Sequence, residues 1–338
     1  MREPPKLADA TIAGALEENY GISIRSLTFL PLGADSATAA FLVCAADGAT
    51  YFLKVRTPEG FSSPSLVVPQ FLDNQGVPHI ASPLSTTSRA LWVIVDHFAL
   101  SLFPFIEGRK AADVGLSEQQ WTSLGATLKQ IHESRLTPDL VQIVPREVFT
   151  PTRRHVLTRL EAAIATQALA DPMQRELAAF WRARQEEIRT LVDRADMLGH
   201  QLRQRSAPLV LCHADLHTWN LLLDTSQQFW IVDWDETILA LKERDLMFVV
   251  GGIGANQVQP HETACFLLGY GDAAVDPRAL TYYRYAWAVQ DMAAYGEQVF
   301  FLPDLSQETR HDAAAGFMDM FEPGNIVAIA SGSNSEEA

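Results

Sequence analysis

The stretch LCHADLHTWNLLL, from Leu211 to Leu223, sets two histidines, an aspartate, a tryptophan and an asparagine between two apolar runs. Polar groups in such a place need a use, because burying them without partners costs free energy. Three uses are open: binding a transition metal, holding a substrate with a nucleotide, or forming a polar turn. His213, Asp215 and Asn220 stand in the pattern H-x-D-x-x-x-x-N. Further along, Asp233 closes the apolar strand-like run FWIVDWD. Far upstream, Lys54 closes another strand-like run, ATYFLKVR.

Read together, these four positions suit phosphoryl transfer. That chemistry needs a cation on the phosphates, a divalent metal and a carboxylate that orients the acceptor hydroxyl. Magnesium is a hard cation that accepts oxygen ligands and keeps several waters, so one carboxylate and one amide oxygen suffice. Asp233 and Asn220 can supply these. Asp215 would orient the acceptor hydroxyl or take its proton. Lys54 would pair with the α/β-phosphates. The order lysine, then D…N, then D matches the protein-kinase arrangement. A rival reading makes His213, Asp215, His217 and Asp233 a transition-metal site for hydrolysis. It leaves Asn220 and Lys54 without a role.

The layout around these motifs predicts an α+β, two-lobed chain. Leu7, Ile12, Leu16 and Tyr20 share a helical face, and Gly21 follows as a C-cap. Asp47-Gly48 between two apolar runs is a hairpin signal. Leu91 to Ile106 adds strand text. Ser117 with Gln120 forms a capping box, and Trp121, Leu124, Leu128 and Ile131 follow at helical spacing. Pro172 to about Arg205 reads as one long amphipathic helix, with Leu177, Phe180, Ile188, Leu191 and Leu198 on its apolar side. The expected division is residues 1–105 as a small antiparallel-sheet, nucleotide-binding lobe and 106–330 as a larger helical lobe for catalysis and substrate. The tail 331–338, SGSNSEEA, is expected to be disordered.

Composition narrows the class. The 338 residues are 48% hydrophobic and 20% charged, as in ordinary globular proteins. The net charge is −15, from 26 basic and 41 acidic residues, which argues against a nucleic-acid partner and suits a cationic small molecule. No apolar run reaches the ~18 residues of a membrane helix. MREPPKLADAT has no apolar signal-peptide core, so a cytoplasmic location is expected. Cys44, Cys212 and Cys265 are too few and too widely spaced for a disulfide framework.

LVLCHADLHTWNLLLD, IVDWDETILALKERDLMFV and FLKV resemble the aminoglycoside phosphotransferase family, whose fold is protein-kinase-like. YGISI, LKQIHES and YYRYAWAVQDMAAYG extend the resemblance over nearly the whole chain. It implies a transferase that uses ATP and Mg2+ to phosphorylate a hydroxyl of a cationic aminocyclitol-type antibiotic, spectinomycin first among them. Other members of such families take choline, homoserine or sugars. By the same resemblance Asp215 is the catalytic aspartate, Asn220 and Asp233 are the magnesium ligands, and Lys54 is the phosphate-binding lysine. Phe103 to Ile106, including Phe105, matches the hinge whose backbone holds adenine. Gly33 to Ser36 stands where the phosphate-covering turn belongs. Asp245 resembles an aspartate that braces the catalytic loop. Asp291 and Glu297 resemble family positions near the acceptor pocket. Asp235 and Glu236 are expected to face the acceptor because they directly follow Asp233. Each of the four could equally be a solvated carboxylate. His213 is expected to fix its loop, and Trp219 and Trp234 to pack.

One element of the kinase pattern is missing. The segment after Lys54, TPEGFSSPSLVVPQFLDNQG, carries only Glu59, which comes too early to be the helix glutamate that kinases pair with this lysine. The expected position holds Ser62 or Ser63. Either Lys54 is held by another group, or the helix is shifted, or activity is weakened, as in a pseudokinase.

Overall fold

The computed structural model describes residues 4–32, 37–166, 169, 171–253, 258–271, 274–303 and 305–332. In chain order the elements are α1 (Asp9–Tyr20), β1 (Ile24–Leu30), β2 (Thr38–Ala45), β3 (Thr50–Arg56), α2 (Pro64–Asn74), β4 (Val93–Val95), β5 (Phe98–Pro104), β6 (Gly108–Lys110), α3 (Ala111–Val114), α4 (Glu118–Glu133) and α5 (Pro138–Ile143). They continue with α6 (Arg154–Thr166), α7 (Pro172–Ala183), α8 (Gln185–Arg203), β7 (Val210–Cys212), β8 (Leu221–Asp224), β9 (Phe229–Ile231) and β10 (Ile238–Ala240). Last come α9 (Glu243–Leu246), α10 (Pro260–Tyr270), α11 (Pro277–Phe300), α12 (Gln307–Asp319) and α13 (Ile326–Gly332). The chain packs into two compact units.

The first unit gathers the residues up to Gln120 with Thr127–Pro145 and Thr218–Thr237. Its main sheet runs β1-β2-β3-β5-β4, antiparallel throughout. The expected hairpin is there: β2 turns into β3 with Gly48 at φ 94, and the Ala49 N–H donates to Asp47 Oδ1 at 2.9 Å. Phe41, Val43, Leu53, Val55, Leu100 and Leu102 pack against Ile12 and Leu16 of α1. Each such side chain, taken fully out of water, contributes about 1.5–3 kcal/mol. Gly21 ends α1 in the left-handed region, as its position promised. A second, three-stranded sheet runs β6-β8-β9. Gly108 is needed there, because a Cβ would stand 2.0 Å from the Leu223 carbonyl oxygen.

The second unit holds Trp121–Ala126, Arg146–His217 and the chain from Ile238 onward. Its axis is α11, whose Tyr282, Tyr283, Tyr285 and Met292 are buried among α6, α8, α12 and α13. The capping box at Ser117 and Gln120 forms with both of its bonds. The single helix expected from Pro172 to Arg205 is two helices, α7 and α8, parted at Arg184. Arg184 leaves the helical region (φ −113, ψ 13), and its guanidinium lies over the Phe180 and Phe321 rings. The apolar period survives the break, so the sequence conceals it. Helix α13 runs through Gly332, so the first two residues of the expected disordered tail are helical; residues 333–338 lie outside the described residues.

Candidate active site

In the first unit the expected residues are assembled by two pieces of β-structure. Strand β3 lies between β2 and β5, with Lys54 opposite Ala40 on one side and Ser101 on the other. The β8–β9 hairpin converts sequence distance into proximity. Leu221 pairs with Ile231, and the Val232 N–H donates to the Asn220 carbonyl at 3.0 Å. Asn220 and Asp233 therefore leave the hairpin at the same end. The hairpin's turn is held by Asp224, which accepts from the N–H groups of Ser226 and Gln228 and from Trp230 Nε1. Bonds from Trp230 and Ser226 push its carboxyl down to about 2.

Lys54 reaches the residues beyond this hairpin. Its Nζ lies 2.6 Å from Asp233 Oδ1 and 3.1 Å from Asp235 Oδ2. Burial alone would lower the ammonium's pKa, but the two carboxylates outweigh it and the net direction is up. Asp233 sits at φ 66, a left-handed conformation that aspartate tolerates better than most residues. Its side chain stays 44% exposed. Trp234 between the two aspartates is buried.

Arg56 was not singled out by the sequence reading. It stands two residues after Lys54 on β3 and hence on the same face. It is 1% exposed. One Nη donates to Ser101 Oγ at 2.8 Å and the other to Asp235 Oδ1 at 2.7 Å. Asp235 thus has both oxygens on cations from β3. Their charges draw its carboxyl well below the usual range, against the upward push of burial. The alternation K-x-R at a strand end was the available signal.

Helix α2 supplies no partner for Lys54: its only acid, Asp73, accepts from Ser82 Oγ at 2.7 Å. Glu59 lies in the turn Pro58–Gly60, where bonds from its own N–H and from Thr57 hold its carboxyl down. Phe103 pairs with Phe52 across β3 and β5, and the Phe105 N–H donates to the Thr50 carbonyl at 3.3 Å. Gly33 to Ser36, the expected phosphate-covering turn, lies outside the described residues. Trp219 is an exception to the packing expectation: the residue is 44% exposed, with Lys110 Nζ 4.9 Å from its ring centroid.

The second unit holds the loop with Asp215. Asp245 is fully buried and accepts from two backbone N–H groups, His213 at 3.0 Å and Ala214 at 2.6 Å. That is the bracing role expected of it. Ala214 is held at φ 68, a strained position for a residue with a Cβ. His213, also fully buried, accepts the Asp215 N–H on Nδ1 at 3.3 Å. His213 thus fixes the turn. His217 Nε2 stands 3.1 Å from Asp215 Oδ1, and its ring meets the edge of Phe248. On α11 Asp291 is half-buried, while Glu297 is tied to Arg153.

A family model described as "Phosphotransferase enzyme family" matches residues 28–285. The chain belongs to that family. The match spans β1 through most of α11's first half, so it takes in both the Lys54 strand and the Asp215 loop. The resemblance read from the motifs therefore stands, and this phosphotransferase is not the metallohydrolase of the rival reading. The crystal structure of a spectinomycin phosphotransferase with ADP and spectinomycin superposes with a TM-score of 0.85 at 30% identity, covering 98% of this chain and 99% of that one. An amicoumacin kinase in complex with AMP-PNP, Ca2+ and Ami gives 0.64 at 17% identity over 94% and 95% of the two chains. A choline kinase from Streptococcus pneumoniae gives 0.58 at 13% over 91% and 98%. The last two share the fold alone. The kinase-like α+β fold expected from the sequence is the fold of this phosphotransferase, with an antiparallel sheet near its N-terminus and a helical remainder. A sequence comparison with curated proteins found no match. Among the described residues, no helix is long and apolar enough to cross a membrane.

Proposed function

We propose that this phosphotransferase moves the γ-phosphoryl group of ATP to a hydroxyl of a cationic aminocyclitol antibiotic, with spectinomycin the first candidate. What carries the reading is the 30% identity, over 98% of the chain, to a spectinomycin phosphotransferase solved with ADP and spectinomycin. The net charge of −15 supports an acceptor bearing ammonium groups.

The residues divide the work as follows. Lys54 leaves Asp233 to pair with the phosphates. The Asp233 carboxylate and the Asn220 side-chain amide are hard oxygen donors at one end of a hairpin, which suits a magnesium ion. Magnesium would neutralise charge on the transferring phosphoryl group. The backbone from Phe103 to Phe105 holds the adenine, and we assign Ser36 to the phosphates. Asp215 orients the acceptor hydroxyl. The acceptor oxygen bonds to phosphorus, the bond to ADP breaks, and the hydroxyl proton passes to Asp215. We assign Glu236 and Asp291 to the acceptor side. Rate enhancement comes from positioning and charge neutralisation, as a loose transition state requires. We assign residues 1–105 to nucleotide binding and 106–330 to catalysis and acceptor binding, in a cytoplasmic enzyme.

The test is an acceptor panel with purified protein, ATP and Mg2+, read as ADP release. Spectinomycin is expected to turn over and kanamycin-type compounds are not. Turnover of choline, homoserine or a sugar instead would move the assignment to another small-metabolite kinase. ATP binding with no ADP release for any acceptor would make this a pseudokinase.

A further inference from the structure

The kinase pattern demands an anion beside the phosphate-binding lysine, and α2 carries none that is available. The structure shows where the anion comes from. Asp235 places Oδ2 3.1 Å from Lys54 Nζ and Oδ1 2.7 Å from Arg56 Nη2. Arg56 is 1% exposed and is itself anchored to Ser101 on the neighbouring strand β5. A guanidinium at such depth keeps its place only with an anionic partner, since losing that partner leaves an uncompensated buried charge. The arginine's planar fork also fixes the carboxylate's orientation in a way a lysine could not. Asp235 is therefore not free to swing. Its second oxygen is presented to Lys54 from a rigid support.

We propose that Asp235, clamped by Arg56, is the positioning residue for Lys54, replacing the glutamate that kinase-like enzymes carry on the helix after β3. The two carboxylates on Lys54 then have different fates. Asp233, 44% exposed, is the partner that lets go when phosphates arrive. Asp235, 32% exposed and bonded to Arg56, stays. Because both cations sit on one strand, the lysine's placement does not depend on where α2 stands. Such an enzyme lacks the helix movement by which kinases separate lysine from glutamate. This role takes Asp235 away from the acceptor side, where its place just after Asp233 suggested it, and it rests on the phosphotransferase reading above.

Three variants test it: Asp235→Asn, Asp235→Glu and the charge-free pair Arg56→Met/Asp235→Leu. Asp235→Asn is expected to lower kcat on the order of 100-fold while KM for the acceptor stays within about threefold, the pattern of a misplaced group rather than a lost binding contact. Asp235→Glu should recover part of kcat. The charge-free pair should melt near the wild-type temperature, because an apolar pair can replace a buried ion pair, yet remain as slow as Asp235→Asn. If the pair regains kcat along with its melting temperature, the clamp is only structural and the proposal fails. It fails equally if Asp235→Asn raises the acceptor KM without touching kcat, since Asp235 would then hold the acceptor. A readout independent of turnover is the crystal structure of Asp233→Asn without nucleotide. Lys54 Nζ is expected to remain within about 3.2 Å of Asp235; departure from Asp235 would overturn the assignment. A wild-type protein that neither binds ATP nor releases ADP would sink the phosphotransferase reading while leaving this structural test intact.

Discussion

Asp245 and Asp235 each use both carboxylate oxygens, but on different kinds of partner. Asp245, in the second unit, receives two backbone N–H groups from His213 and Ala214. Asp235, in the first, receives two side-chain cations from β3. The first arrangement holds a strained loop in shape, with Ala214 at φ 68 as its signature. The second leaves the backbone alone and sets the direction of a mobile ammonium. Backbone bracing must never release, so it is fully buried. Cation positioning serves a group that must exchange partners, so it borders solvent. The two regions should therefore fail differently when altered.

The largest effect is expected at the residue the braced loop carries. Asp215→Asn should cut phosphoryl transfer by roughly 10²–10⁴-fold, the usual contribution of a positioned acid–base group, with ATP affinity by calorimetry close to wild type. Activity that survives the change would remove Asp215 from the acceptor role.

Next comes the brace itself. Asp245→Asn keeps the volume but turns one acceptor into a donor facing a buried N–H. A loss of about 2–4 kcal/mol is expected from the unsatisfied donor and the lost charge-assisted bonds, measured by urea unfolding. Activity should fall with the fold. The contrast with the charge-free pair at Arg56 and Asp235, expected to be neutral in stability, is the sharpest form of the comparison. If both changes cost the same stability, the distinction between bracing and positioning collapses.

The smallest effect is expected at Asp224, which holds the hairpin joining Asn220 to Asp233. Its pKa falls from 3.8 to about 2 on folding. A depressed carboxyl stabilises the folded state above the unfolded value, and that contribution is lost as pH drops through the folded value. Asp224→Ala should cost about 0.5–1 kcal/mol at neutral pH, allowing for solvent screening. The gap between variant and wild type should stay flat down to about pH 5 and close toward about pH 2. A gap that does not vary with pH would show that the turn is held by something other than the ionised carboxylate.

Much of this molecule is legible in its sequence because the relevant physics is local. The Asp47-Gly48 turn, the Gly21 cap and the Ser117–Gln120 box each depend on a few adjacent residues, and each forms. Order along the chain also sufficed for the phosphotransferase assignment, since Lys54, Asp215, Asn220 and Asp233 fall in the kinase sequence and the family match agrees. What failed was long-range. The break at Arg184 is associated with Phe321, more than a hundred residues away, whose ring takes the guanidinium. No periodicity within 172–205 could reveal that contact. Sequence order puts the partner of Lys54 in the next helix; the carboxylate comes instead from residue 235, delivered by a hairpin. Arg56 carries no motif of its own, and its role rests on Ser101 and Asp235, which are distant in sequence and bonded to it in the fold. The sequence by itself thus determined the reaction class and the local elements, since motif order and turn chemistry are written in neighbouring residues. Only the tertiary structure decided which carboxylate meets which cation, because a charge is paired by distance in space and the sequence records distance along the chain.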